Sequence, residues 1–135
     1  MKNISLFLIM FLFSGCASLI KDSNQNIIFN TYPDNAKLEI KNSKGLLIHQ
    51  ATTPSIITLN RSNGSYFGSE IYDVTITKEG YVTKNLKVQS KANNFFLFGN
   101  ILFGNIIGWF IVDPLTGRMY DLEPEMIDEI LTKVK

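Results

Sequence analysis

Ile71-Tyr72-Asp73-Val74-Thr75-Ile76-Thr77-Lys78-Glu79-Gly80-Tyr81 is the stretch on which the fold turns. Tyr72, Val74 and Ile76 fall at every second position with Asp73, Thr75 and Thr77 between them, which is the period of a strand with one buried face. Lys78-Glu79-Gly80 then has the residue types of a reversal, because Gly80 accepts a positive φ that other residues resist. Tyr81 can fold its ring over that hairpin. Working outward, the same alternation puts Leu38 and Ile40, Ile57 and Leu59, and Leu86 and Val88 on apolar stripes. Strands are expected at roughly 26–31, 36–41, 45–50, 55–60, 70–77 and 82–89, separated by Pro, Gly, Asn and Asp. Asn42-Ser43-Lys44-Gly45 closes one hairpin. Strands with one apolar face must pack against another layer, so the expected fold is mainly β, a small antiparallel β-sandwich over residues 27–92.

Three groups of residues carry a resemblance across about residues 27–90. They are Tyr32-Pro33-Asp34-Asn35-Ala36-Lys37-Leu38-Glu39-Ile40, Thr52-Thr53-Pro54-Ser55-Ile56, and Tyr72 through Tyr81 with its Lys-x-Gly-Tyr ending. Together they resemble a PEGA-type domain. The chain departs from that pattern at Asn35, where many members have Gly, and in the longer polar loop 61–68. The resemblance implies a small β-sandwich used as an accessory or interaction module of the bacterial envelope, without a catalytic site. Pro54 drives Thr53 into an extended conformation at the entrance to a strand. The loop holds two neighbouring aromatics, Tyr66 and Phe67, which form a candidate binding loop; the alternative is that they cover one end of the core.

Residues 93–135 read differently. Residues 95–112 run for 18 positions without a formal charge, near the lower length for a membrane span. As a helix they would align Leu97, Ile101, Gly104, Gly108 and Ile111 on one face, a candidate interaction face on which the two glycines let another backbone approach. A full span, a membrane-dipping or self-packing helix, and a segment buried against the sandwich all fit; Asn100 and Asn105 favour the last two, since an amide exposed to lipid is costly. Asp113-Pro114-Leu115-Thr116-Gly117 marks a turn, and residues 118–122 a short returning strand. Pro124 is expected to open a C-terminal helix lined by Met126, Ile127, Ile130, Leu131 and Val134.

At the other end, Lys2 and the apolar run 4–13, broken only by Ser5, precede Leu12-Phe13-Ser14-Gly15-Cys16. That arrangement resembles a lipobox, the processing site of bacterial lipoproteins. The resemblance implies removal of residues 1–15, a diacylglyceryl group on the Cys16 thiol, acylation of the new amino group with a fatty acid such as palmitate, and a lipidated tether over 16–26. Membrane lipid is then the first partner. Ala17 follows Cys16 instead of the Asp that retains some lipoproteins in the inner membrane, so the expected location is the cell envelope, at the outer membrane.

Composition narrows the chemistry. Thirteen basic residues face twelve acidic ones, with Lys2 in the segment removed, so the mature chain is balanced. Nucleic acid as a partner is excluded by the lack of a basic block. Cys16 is the single cysteine and His49 the single histidine, which leaves no thiol for a disulfide or nucleophile and no histidine cluster for a metal. No glycine loop is placed to cradle a phosphate, and no cofactor is implied. Asp113 with Asp121 or Glu123 is the one carboxylate combination open to glycan hydrolysis. The reading that results is a lipid-anchored, non-enzymatic envelope protein that binds an envelope partner. The alternatives are a self-associating, membrane-inserted component built on 95–112 and, more distantly, a glycan-acting enzyme.

Overall fold

The computed structural model describes residues 23–92 and 119–135, which are almost entirely strand and turn. Eight strands follow in order: β1 (Asn24–Tyr32), β2 (Lys37–Lys41), β3 (Leu47–Thr52), β4 (Ser55–Asn60), β5 (Ile71–Thr77), β6 (Lys84–Ala92), β7 (Tyr120–Glu123) and β8 (Met126–Ile130). They form two sheets, one ordered β4-β1-β8 and the other β3-β2-β5-β6-β7. Every pairing within them is antiparallel except that of β1 with β8, which is parallel.

Alternation explains the two inner faces. Ile27, Phe29, Ile57, Leu59 and Ile127 come from the three-stranded sheet, and Leu38, Ile40, Tyr72, Val74, Ile76, Val88 and Leu122 from the five-stranded one. All belong to a single buried apolar cluster. Removing that area from water is the main favourable term in folding, at about 25 cal/mol per Å² of apolar surface. The two expected hairpin turns are present, and the turn expected at Asp113 to Gly117 lies outside the described residues. Gly45 has φ +75 and donates to the Asn42 carbonyl at 2.9 Å, and Gly80 has φ +77 beside a Tyr81 N–H that donates to Lys78 O at 3.0 Å.

Two expectations require correction. The strand expected at 45–50 lies at Leu47–Thr52, and its pairing with β2 shifts register between Ile40 and Lys41. Among the described residues β3 is the edge of its sheet with no strand beyond it, and it buries no complete face. The C-terminal helix is not formed. Met126–Ile130 is strand β8, because β1 otherwise leaves one edge of its backbone unpaired. The spacing of Met126, Ile127, Ile130, Leu131 and Val134 suits a helical stripe, yet only Ile127 and Leu131 are buried. The peptide bond before Pro124 is cis and lies in the short connection by which the chain leaves one sheet for the other.

Candidate functional site

Register puts several chain segments at one end of the two sheets, here called the stem end. β1 starts there and β4 finishes there, with Asn24 opposite Asn60. β5 starts opposite the last part of β6, with Ile71 facing Gln89, and β6 ends with Ala92 facing Tyr120 at the start of β7. The chain therefore enters at residue 23, leaves after residue 92 and returns before residue 120, all at the stem end. The loop between β4 and β5 and the Asn42–Gly45 turn lie there too.

Buried polar side chains close the core at this end. Gln25, Arg61 and Glu70 are each less than a tenth exposed. The Gln25 amide reaches from β1 to β7: its Nε2 donates to Leu122 O at 3.0 Å, and its Oε1 accepts from Leu122 N at 2.9 Å and from Arg61 Nε at 3.0 Å. Arg61 Nε also stands 3.6 Å from Asp121 Oδ1. Ser90 Oγ donates to the Arg61 carbonyl at 2.5 Å and accepts from Glu70 N at 2.9 Å. Glu70 Oε1 accepts from Ser43 N at 3.1 Å, tying the hairpin turn to the loop. Tyr72 Oη donates to Asn60 O at 2.8 Å. Burial pushes the Tyr72 phenol up to about 12, and the Glu70 charge adds to the rise.

The loop between β4 and β5 folds on itself outside this polar layer. Asn63 Oδ1 accepts from Ser65 N at 2.9 Å, Ser62 Oγ accepts from Gly64 N at 3.1 Å, and Gly68 N donates to Ser65 O at 2.8 Å. A Cβ at Gly68 would collide with the Asn63 side chain and come within 2.9 Å of Ser65 O, so only glycine fits the closed turn. Phe67 itself has φ +54. Its ring meets that of Tyr66 edge to face, 4.8 Å between centroids and 86° between planes, a favoured aromatic geometry. Tyr66 is 56% and Phe67 44% exposed, so the rings project outward and the polar layer, not they, closes the core. Tyr120 Oη donates to Phe67 O at 3.0 Å, which joins the loop to the strand where the chain returns.

Cys16 and the face Leu97, Ile101, Gly104, Gly108 and Ile111 lie outside the described residues. His49 is exposed on β3, opposite Ile40. Asp113 is outside the described residues, Asp121 sits by Arg61, and Glu123 pairs with Lys91 at 2.6 Å. Among the described residues no three His, Cys, Asp or Glu side chains are grouped to hold a metal ion, and no helix is long and apolar enough to cross a membrane. Sequence reading missed Gln25, Arg61, Glu70 and Ser90. Gln25 stood in the expected tether, which gives up Asn24 to Asn26 to β1. No protein-family model, curated protein or solved structure matches the chain.

Proposed function

We propose that this chain is a lipid-anchored, non-enzymatic protein of the bacterial cell envelope, held through Cys16, with a PEGA-like β-sandwich as its interaction or accessory module. The observation that carries it is the Leu12-to-Cys16 stretch behind a charged residue and an apolar run. Two acyl chains or more at Cys16 make attachment stable, where one chain is marginal. Asn35, at the position where the resembling family often has Gly, has φ +57, a conformation that glycine adopts freely and that Asn tolerates better than most residues. This supports the PEGA likeness. Ala17 after Cys16 favours the outer membrane.

The test is expression of the full chain in a bacterium fed a traceable palmitate. The wild type is expected to take up label at Cys16, and Cys16→Ala to lose both the label and processing after Gly15. An unlabelled, unprocessed wild type sinks the proposal. Alkaline extraction of the Cys16→Ala form distinguishes a second reading, favoured by the uncharged run 95–112. Release supports a lipid-only anchor, whereas retention supports insertion by that run.

A further inference from the structure

We infer that the stem end faces the lipid surface and that Tyr66 and Phe67 seat their rings at its headgroup level. This rests on the lipid-anchor reading of Cys16. Chain length sets the distances. Seven residue steps separate Cys16 from Ser23, so the entry point lies within about 25 Å of the acylated residue. The uncharged run begins at Phe95, three steps beyond Ala92, within about 10 Å of the end of β6. Both the anchor and the uncharged run 95–112 are thus tied to the end that carries the aromatic loop. The opposite end also exposes apolar side chains, Tyr32, Val82 and Ile130 among them. It is separated from the stems by the length of β1, nine residues or about 30 Å.

The loop has the chemistry for an interface. Ser62 to Ser69 contains no ionisable acid or base other than the Tyr66 phenol, so approaching the headgroups strips water from no charge. Tyr66 presents an apolar ring with a polar tip, the combination favoured at membrane–water boundaries. Internal hydrogen bonds from Ser65 N and Gly68 N reduce the backbone groups left to solvate. The Tyr120 bond to Phe67 O holds the loop against the returning strand. Lys44, exposed on the hairpin turn at the same end, places an ammonium where lipid phosphates lie.

The test uses the full-length acylated protein in vesicles of phosphatidylethanolamine and phosphatidylglycerol. Acylation consumes the single native thiol, so Ser65→Cys adds one labelling site while keeping both rings; Val82→Cys does the same at the opposite end. Each is labelled with a polarity-sensitive fluorophore and quenched either by nitroxide-bearing lipid or by aqueous iodide. The Ser65→Cys label is expected to be quenched several-fold more by the lipid than the Val82→Cys label, and several-fold less by iodide. Adding Tyr66→Ala and Phe67→Ala to Ser65→Cys is expected to remove most of that lipid quenching. Equal iodide quenching at the two sites on acylated protein overturns the inference and leaves the anchor intact. Protection from both quenchers also overturns it, since the loop is then covered by protein. Mass spectrometry that finds Cys16 unmodified defeats the anchor reading itself, and this inference with it.

Discussion

Thr53 is a small side chain with an unusually full set of partners. It is 1% exposed. Its Oγ1 accepts from Ala36 N at 3.0 Å and shares a hydrogen bond with Thr31 Oγ1 at 2.5 Å, while its backbone exchanges bonds with Ala36 O and Asn35 N. The Thr-Pro step was visible in sequence; these partners were not, because nothing local encodes a hydrogen bond to a residue 17 positions away. Thr53→Val keeps the shape and orphans the buried Ala36 N–H, so urea denaturation should show a loss of about 1–3 kcal/mol, and Thr53→Ser should recover much of it. Tyr72 gives a pH dependence. Its phenol ionises near 10 in the unfolded chain and at about 12 when folded, so the folded state holds the proton more tightly. That contribution is complete below about pH 10 and is lost as pH rises through about 12. The wild-type urea midpoint should therefore fall more steeply over that range than that of Tyr72→Phe, and parallel slopes would exclude the effect. At neutral pH the same variant should lose about 0.5–1.5 kcal/mol with the Asn60 bond.

Among the elements, the strands that alternate cleanly were legible and the C-terminal one was not. β2, β4 and β5 each place apolar residues at alternate positions facing the core, and the hairpin turns that follow β2 and β5 contain the glycines that positive φ demands, Gly45 and Gly80. The C-terminal residues satisfy two periods at once. Ile127 and Leu131 fit a helical stripe, while Ile127 flanked by Met126 and Asp128 fits a strand. The choice falls to the unpaired edge of β1, which supplies partners along Ile28 to Tyr32 and binds the ends through Ile28 N to Glu125 O at 3.0 Å and Leu131 N to Tyr32 O at 2.8 Å. That information sits about a hundred residues away, beyond the reach of periodicity. The strand makes a prediction the helical stripe does not. Ile127→Ala deletes a side chain 4% exposed and should cost about 2–4 kcal/mol. Ile130→Ala, at 75% exposed, should change stability by no more than about 0.5 kcal/mol. Comparable losses at the two positions, measured by thermal or urea unfolding, would favour a helical face.

At the scale of the whole molecule, the two sheets are coupled by polar groups at the stem end as well as by the core. Strand order was not legible, because it is set by which edges meet in space; the parallel β1–β8 pair and the position of β7 beside β6 leave no local mark in the chain. The same holds for the polar layer, since Gln25 and Leu122 are 97 positions apart. Gln25 answers both the N–H and the C=O of Leu122, as a neighbouring strand would, but it does so from the other sheet. It thereby fixes β7, which follows residues 93–118 in the chain, against β1, which follows residues 1–22. Gln25→Leu retains an apolar stem and removes the amide, leaving the Leu122 backbone groups without it and Arg61 without its bond to Oε1. The expected cost is about 2–4 kcal/mol, seen as a lower urea midpoint of the full chain. Because the clamp spans both sheets, the transition should remain single while it shifts. A second, earlier transition would instead mean that the sheets unfold separately, and a change below about 0.5 kcal/mol would show that the apolar core alone joins them.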